Sequence, residues 1–226
     1  MYSKATLEKT LKKNGASLVG FSDVTSAAAD KRFNLPSAVT ILVALDKDVV
    51  RSIEGAPTRI YYEEYKRVNA MLDRLGAMCA DWLRSAGYEA KALPTTEVKS
   101  NEQLVTDFPH KTGAILSGLG WIGKCALLIT KEYGSAIRLT TVFTDMPVQN
   151  ADMMVSLCGR CTQCTNACPG GAITGKKWEY GMQRSELYDA CACQAEARLQ
   201  GAKIGVENTI CGVCIASCPW TKWYLR

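Results

Sequence analysis

The sequence predicts an α+β protein, with a layered α/β domain over residues 1–150 followed by a cysteine-rich domain over residues 151–226. In the first part, apolar segments rich in β-branched residues alternate with helical patterns, which is typical of helices packed on a sheet. Strand patterns stop at about Val148. Of the 11 cysteines, all but Cys79 and Cys125 lie beyond residue 157, so we expect the two parts to differ in chemistry.

The composition is that of an ordinary globular protein, because 47% hydrophobic residues in a chain of 226 allow a sizeable core. The sequence contains no run of about 18 apolar residues, and residues 1–10 are too polar for a signal peptide. We therefore expect a cytoplasmic protein that does not span a membrane. Since thiols are kept reduced in the cytoplasm, the cysteines favour metal binding over disulfides.

Local patterns predict the first helices and strands. Leu7 and Leu11 lie one helical step apart and predict an amphipathic helix over residues 3–14. Residues 17–21 predict a strand, and the mostly apolar residues 38–45 predict a central strand that is buried on both faces.

A long helix is predicted from Thr58, which suits an N-cap, to Ser85, because apolar residues recur there at intervals of three and four. Residues 88–93 predict another strand. The polar residues 95–107 predict a loop over the functional face.

Residues 110–147 open with a short predicted helix that runs into a turn at Gly118 and Gly120, whose glycines let backbone approach closely. Strands are expected at 126–130 and 136–144. The Gly-x-Gly pattern follows a helix rather than a strand, which excludes a dinucleotide-binding fingerprint.

The cysteine-rich part opens with the spacing C-x2-C-x2-C-x3-C-P, formed by Cys158, Cys161, Cys164, Cys168 and Pro169. In bacterial ferredoxins with this spacing, the first three thiolates hold one 4Fe-4S cluster and the fourth binds a second cluster. The first motif therefore predicts a second cluster.

A second motif, Cys211-x2-Cys214-x3-Cys218-Pro219, repeats the end of the first. Asn208 stands where its first cysteine is expected, so the missing ligand comes from elsewhere. Crossed ligation then predicts a ferredoxin-like domain with two 4Fe-4S clusters. One cluster is assigned Cys158, Cys161, Cys164 and Cys218, and the other Cys168, Cys211, Cys214 and either Cys193 or Cys191.

Two other interpretations explain the cysteines less well. A structural zinc site uses four thiolates and leaves the x3-C-P tails unexplained. A disulfide framework is typical of short secreted chains, and no secretory leader is recognisable in this sequence.

Three blocks together resemble the epoxyqueuosine reductase family: Gly118-Leu-Gly-Trp-Ile-Gly-Lys124 before an apolar strand, the run ending in Cys168-Pro-Gly-Gly-Ala-Ile173, and residues 211–220. The resemblance covers roughly residues 15–220. Members use cobalamin and two 4Fe-4S clusters in queuosine maturation on tRNA, and their core is related to that of reductive dehalogenases. The resemblance implies a nitroreductase-like N-terminal domain, with a corrinoid held against the cluster domain.

The chain departs from the family pattern in its length and at one acidic position. Full-length members carry helical repeats after the clusters that are used in tRNA binding, whereas this chain ends at Arg226. It therefore resembles a short relative, and tRNA is a disfavoured partner. Members also have an acidic residue before a proline ahead of the glycine-rich block, for which Asp107 is the candidate in a shifted register. The resemblance favours Cys193 over Cys191 as the eighth ligand.

The candidate catalytic residues are Asp107 and His110, the only histidine and hence the first candidate for a group that titrates near neutrality. The candidate cofactor-binding residues are two turn glycines, a ring suited to stacking and two cations suited to anionic groups: Gly118, Gly120, Trp121, Lys124 and Arg138. A packing role is the structural alternative for the ring and for both cations.

These features together predict an iron-sulfur oxidoreductase. Paired clusters need only about 60 residues, so the preceding part is expected to bind what is reduced. Electrons would pass from a low-potential donor of the ferredoxin or flavodoxin type to a corrinoid or a small-molecule substrate. The alternative is an electron-transfer or corrinoid-reactivating protein with no small-molecule substrate. The charge of +5 falls to about +1 with two oxidised clusters, which is weak support for a nucleic-acid partner.

Overall fold

A computed structural model of the protein describes residues 3–95, 104 and 106–226. Its helices are α1 (Lys4–Lys13), α2 (Lys47–Arg51), α3 (Arg59–Ser85), α4 (His110–Leu116), α5 (Gln163–Ala167), α6 (Arg184–Leu187), α7 (Ala190–Lys203), α8 (Val213–Ser217) and α9 (Pro219–Tyr224). Its strands are β1 (Leu18–Asp23), β2 (Ser37–Ala44), β3 (Ala90–Ala92), β4 (Trp121–Ile122), β5 (Leu128–Ile129) and β6 (Ile137–Thr144).

The main sheet has the strand order β1-β2-β6-β3, and every neighbouring pair is antiparallel. Val39 of β2 lies opposite Phe21 of β1 and Val142 of β6. All residues of β2 except Ala44 are buried. The predicted central strand is therefore confirmed, and the antiparallel sheet with its helices is an α+β arrangement.

Helix α3 lies against β2, β3 and β6. Thr58 caps it as predicted, since its Oγ1 accepts a hydrogen bond from the Tyr61 amide at 3.2 Å. Val68, Leu72 and Leu83 are fully buried on the face toward the sheet. Burying a large apolar side chain contributes about 1.5–3 kcal/mol, so this stripe stabilises the helix far more than its caps do.

Strands β4 and β5 form a separate hairpin in which Trp121 lies opposite Ile129. The predicted strand at 126–130 is shorter in the structure. Residues 123–126 form a turn instead, in which the Ala126 amide donates to the Gly123 carbonyl at 2.9 Å and Ala126 takes a φ of 58°. This turn points toward the cysteine-rich part of the chain.

The main core joins both parts of the chain. Leu72 and Val142 belong to the same hydrophobic cluster as Ile210, Val213 and Ile215.

The last named strand within residues 106–226 ends at Thr144, as predicted. The boundary at residue 150 stays a prediction, and most of the predicted loop over 95–107 lies outside the described residues. Among the residues described, no helix has the length and apolar character needed to cross a membrane.

Candidate iron-sulfur site

Four cysteines from both motifs line one cavity of about 220 Å³: Cys158, Cys161, Cys164 and Cys218. Ile129 of the hairpin and Trp220 form part of its apolar wall. The first three cysteines are close in sequence, whereas Cys218 comes from the far end of the chain. This is the grouping that crossed ligation predicts for the first cluster.

The two motifs place their cysteines in the same local geometry. Cys164 lies in α5 and Cys214 in α8, and these two short helices pack against each other. Cys168 and Cys218 end the helices with φ, ψ of −68°, 111° and −66°, 128°. A residue before proline favours this extended backbone, so each Cys-Pro pair stops its helix and turns the last cysteine away from the one before it.

Cys193 lies in α7, near Cys168 and Cys211 of the second set. Asp189 caps α7 by accepting a hydrogen bond from the Ala192 amide at 2.9 Å, which fixes the first turn of the helix that carries Cys193. Partial burial of its sulfur raises the pKa of Cys193, and the nearby Cys168 thiol raises it further. Burial also raises the pKa of Cys211, again with contributions from Cys193 and Cys168.

Backbone amides point at the sulfurs of several of these cysteines. The Ala172 amide donates to Cys168 Sγ at 3.3 Å. Burial raises the pKa of both Cys211 and Cys218, and backbone amides oppose this in part: the Val213 amide donates to Cys211, and two amides following Cys218 donate to that thiol. Amide donors to thiolates are a usual means by which proteins hold and tune iron-sulfur clusters, so this donor set fits two clusters.

Trp121 adds a further donor beside the first cavity. It is completely buried, packs edge to face on Trp220 with ring centroids 5.0 Å apart, and belongs to a cluster with Cys158 and Cys218. Its indole Nε1 has no hydrogen-bond partner among the described residues. A buried N–H group without a partner is costly, and a cluster sulfur is an acceptor that would satisfy it.

The turn between β4 and β5 enters the space between the two cysteine sets. Lys124 is buried, and its Nζ donates to the Cys161 carbonyl at 2.9 Å. The next residue, Cys125, is a buried thiol that contacts both Cys164 and Cys214. The contact with Cys164 lowers the pKa of Cys125, but the contact with Cys214 and burial outweigh it, so the pKa lies well above its usual value. Burial and the contact with Cys214 therefore favour the neutral thiol form of Cys125.

Within the described residues, no three His, Cys, Asp or Glu side chains converge as ligands of a single metal ion would. The ligands of a 4Fe-4S cube bind separate iron atoms and stand further apart.

The predicted cofactor-binding residues lie in different surroundings. A Cβ on Gly120 would lie 2.1 Å from the Ile129 carbonyl oxygen, so the close approach at this glycine is to β5 of the same hairpin. Gly118 takes a φ of 68° in the turn after α4. Lys124 faces the first cysteine set, whereas Arg138 lies elsewhere, with Nε 2.9 Å from Asn69 Oδ1.

The two predicted catalytic residues also lie in different surroundings. His110 begins α4 and is largely buried, with Nδ1 3.0 Å from Thr141 Oγ1. Asp107 is exposed and forms an ion pair with Lys31. Among the described residues, His110 bonds to Thr141 and Asp107 to Lys31 rather than to each other, and the catalytic role of each stays a prediction.

We expect His110 to remain neutral well below neutral pH. Burial, with the nearby Arg138 cation as the second cause, lowers its pKa to about 4. Because an unfolded histidine has a pKa near 6.5, the stability from this residue is complete above about pH 6.5 and is lost as the pH falls toward 4.

The measurement is an NMR titration of the Cε1 proton of His110, which needs no assignment because the sequence has one histidine. A midpoint near 6.5 in the folded protein would contradict the prediction. The His110→Gln variant serves as the control, since its spectrum should lack the resonance.

Two residues that the sequence reasoning did not place in the site are Cys125 and Lys111. Cys125 is a buried thiol, and its position between the two cysteine sets depends on how the hairpin packs. Lys111 reaches the same turn, where its Nζ donates to the Ala126 carbonyl at 2.8 Å. A single lysine in a helix has no sequence signal that distinguishes it from a surface lysine.

Comparison with known proteins agrees with this geometry. Residues 157–221 match the family described as a 4Fe-4S double cluster binding domain. Among solved structures, a catabolic reductive dehalogenase bound to 3-bromo-4-hydroxybenzoic acid superposes with a TM-score of 0.72 at 18% identity, over 94% of this chain and 31% of that one. An epoxyqueuosine reductase bound to a modified tRNA stem loop superposes with a TM-score of 0.66 at 20% identity, over 97% of this chain and 65% of that one. The fold and the site define a double-cluster iron-sulfur protein.

The curated relatives are more specific. An epoxyqueuosine reductase of Listeria monocytogenes is 45% identical over 109 residues, which cover 47% of this chain and 28% of the relative. An epoxyqueuosine reductase of Leadbetterella byssophila is 32% identical over 116 residues, which cover 50% of this chain and 37% of the relative. The predicted resemblance to the epoxyqueuosine reductase-like family is therefore confirmed, and the chain spans about a third of the length of these relatives.

Proposed function

We propose that this chain is an iron-sulfur reductase that carries electrons through two 4Fe-4S clusters to an acceptor bound against the N-terminal part. The observation that most directly supports this proposal is that Cys218 lines the same cavity as Cys158, Cys161 and Cys164. Crossed ligands hold the two clusters side by side, so an electron that enters one cluster can leave through the other.

The ligands of the first proposed cluster are Cys158, Cys161, Cys164 and Cys218, and those of the second are Cys168, Cys193, Cys211 and Cys214. Cys193 is preferred to Cys191 because its thiol lies near those of Cys168 and Cys211. The clusters supply one-electron reduction, while the chain supplies backbone donors to the sulfurs and a wall that excludes water.

The acceptor is proposed to be a corrinoid or a directly bound small molecule, and the electron source a low-potential donor of the ferredoxin or flavodoxin type. The residues predicted to hold a corrinoid lie in different surroundings, so no step is assigned to that cofactor. The nitroreductase-like description of the N-terminal part belongs to this proposal, and so do catalytic roles for His110 and Asp107.

The relatives favour an enzyme over an electron carrier without a substrate, because the curated matches are reductases. A tRNA substrate is the second candidate, since one solved relative binds a tRNA stem loop. Binding of this chain to tRNA with a steep dependence on salt concentration would support that candidate.

The test is anaerobic reconstitution followed by titration with cob(II)alamin and electron paramagnetic resonance. About eight iron atoms per chain, as two cubes require, together with a changed cobalt spectrum, support a corrinoid-dependent reductase. The same iron content with an unchanged cobalt spectrum favours direct reduction of a bound molecule. About four iron atoms or fewer would contradict the two-cluster proposal.

Replacing Cys125 is expected to shift the cluster potentials without removing iron. Its thiol can donate a hydrogen bond to a cluster ligand, which favours the reduced cluster, so Cys125→Ala should lower the midpoint potential. Redox titration followed by electron paramagnetic resonance measures the shift, and Cys125→Ser should restore much of it. Cys79→Ala is a matched control because Cys79 is a buried thiol in the main core. Unchanged potentials in Cys125→Ala would contradict the assigned role.

A further inference from the structure

Lys124 is a buried cation beside the first set of cysteines. Only 7% of its surface is exposed, and it lines the same cavity as Cys158, Cys161, Cys164 and Cys218. Its Nζ donates a hydrogen bond to the Cys161 carbonyl at 2.9 Å. The ammonium is therefore held against the loop that carries three of the four proposed ligands of the first cluster.

This ammonium has no anionic partner among the described residues. No carboxylate within residues 3–95, 104 and 106–226 lies at ion-pair distance from Lys124 Nζ, and the Cys161 carbonyl is neutral. A buried cation costs free energy unless a negative charge lies near it. A 4Fe-4S cluster with four thiolate ligands carries about two negative charges when oxidised and about three when reduced, so it supplies that charge.

The second set of cysteines has a carboxylate near Cys193. Asp189 caps α7, where it accepts a hydrogen bond from the Ala192 amide at 2.9 Å. Burial and the Cys168 thiol raise the pKa of Cys193 most, the Arg184 cation lowers it, and the Asp189 carboxylate raises it again. Both signs of charge therefore reach this part of the second set.

A second carboxylate, that of Glu196, lies on the next turn of α7. A Cβ on Gly170 would lie 2.8 Å from Glu196 Cβ, which places this glutamate beside the segment that follows Cys168. Its Oε1 accepts a hydrogen bond from Gln200 Nε2 at 2.7 Å. Burial is the main cause that raises the pKa of Cys211, and the Glu196 carboxylate adds to it. The second set thus has two carboxylates and one cation nearby.

These charges should act on the two clusters in opposite directions. Reduction adds one negative charge to a cluster, so a nearby cation favours the reduced form and raises the reduction potential. A nearby carboxylate lowers the potential for the same reason. The effect of a buried charge is the larger, because water and salt screen exposed charges.

We propose that Lys124 is the counter-cation of the first cluster and makes that cluster the more easily reduced of the two. Asp189 and Glu196 lower the potential of the second cluster, so a single electron added to the chain resides mainly on the first. This rests on the proposed function, because it requires two clusters with crossed ligands. Each cluster takes up one electron from an external reductant, and the step breaks no bond and takes up no proton.

The experiment is an anaerobic redox titration of the reconstituted protein with dithionite, followed by electron paramagnetic resonance. We expect two midpoint potentials, and Lys124→Met should lower the higher one. At a fixed potential the ratio of reduced to oxidised first cluster should fall about tenfold, which corresponds to about 59 mV for one electron. Lys124→Arg keeps the charge and should keep most of the potential.

Lys131→Met is the matched control for Lys124→Met. Lys131 is an exposed lysine on the loop after β5, so its replacement removes the same charge where water screens it. Both potentials should stay unchanged in this control. Unchanged potentials in Lys124→Met, or an equal shift in Lys131→Met, would overturn the proposal.

Variants with one cluster assign the two potentials. Cys211→Ala keeps all four proposed ligands of the first cluster, and Cys218→Ala keeps those of the second. The potential measured in Cys211→Ala should be the higher of the two. The reverse order would overturn the proposal.

The carboxylates are tested by Asp189→Asn and Glu196→Gln. Asparagine is also a good N-cap, and glutamine can still accept a hydrogen bond from Gln200, so each variant removes mainly the charge. Each should raise the lower potential and leave the higher one unchanged. A shift of the higher potential instead would contradict the assignment of these carboxylates to the second cluster.

Iron and sulfide are measured on every sample. About eight iron atoms with unchanged potentials in Lys124→Met rejects this inference and leaves the proposed function in place, whereas about four or fewer in the unaltered protein rejects the proposed function itself. Loss of iron from Lys124→Met but not from Lys124→Arg supports the counter-cation role. Loss from both variants overturns it, because shape rather than charge would then decide whether the cluster binds.

Discussion

Removing Cys218 is expected to abolish the first cluster, whose other three ligands are the first three cysteines of the first motif. Cys218→Ala should reduce the iron content from about eight to about four atoms per chain. The reason is that Cys218 lines the cavity of Cys158, Cys161 and Cys164. Iron and sulfide analysis after anaerobic reconstitution measures the change, and circular dichroism checks that the chain is folded.

Double variants distinguish crossed from uncrossed ligation. If the ligands cross, Cys218→Ala with Cys158→Ala affects one cluster and leaves about four iron atoms, whereas Cys218→Ala with Cys211→Ala removes both clusters. Uncrossed ligation predicts the opposite result for the two pairs. Cys191→Ala is the control and should keep all the iron. Cys193→Ala should lose the second cluster, because the Cys193 thiol lies near those of Cys168 and Cys211.

The second large effect is expected from Gly120→Ala. The added Cβ would lie 2.1 Å from the Ile129 carbonyl oxygen and 3.0 Å from its carbon, so β4 and β5 must separate. We expect a loss of about 3 kcal/mol or more in the free energy of unfolding. Iron should also be lost from the first cluster, because Ile129 lines its cavity and Trp121 follows Gly120.

Gly76→Ala is the matched control. Gly76 lies within α3, where an added Cβ would meet Ala92 and Thr140 at 3.7 Å, an ordinary contact distance. Alanine is favoured over glycine inside a helix by about 1 kcal/mol, so this variant should be as stable as the unaltered protein or slightly more stable. Equal denaturation midpoints for the two variants would contradict the steric argument.

The sequence predicted those features that depend on local spacing. The N-cap at Thr58, the central strand β2 and the end of the strands near residue 148 follow from periodicity and turn chemistry, and the structure agrees. The grouping of Cys218 with the first motif follows from the ferredoxin-like spacing, because that pattern fixes which thiols meet.

Features that depend on packing between distant segments were not predictable. Gly120 was expected to let the backbone approach a cofactor. In the structure it lets the backbone approach β5, and the sequence does not indicate that β5 lies beside it. Cys125 lies in the β4–β5 turn, and Lys111 of α4 contacts that turn. The two residues come together only because the hairpin packs against α4 and the cysteine-rich part. The burial that lowers the pKa of His110 is likewise a property of the assembled structure.

The grouping of Cys218 with Cys164 also affects the unfolded chain. The two residues are roughly fifty positions apart, so a cluster that binds both acts as a covalent cross-link and reduces the entropy of the unfolded chain. By analogy with a disulfide that closes a loop of this length, the gain is about 4 kcal/mol. The proposed second cluster would close a shorter loop through Cys168 and Cys211, nested within the first. Oxidative loss of either cluster should therefore release a long segment of chain, which couples survival of the fold to the redox environment.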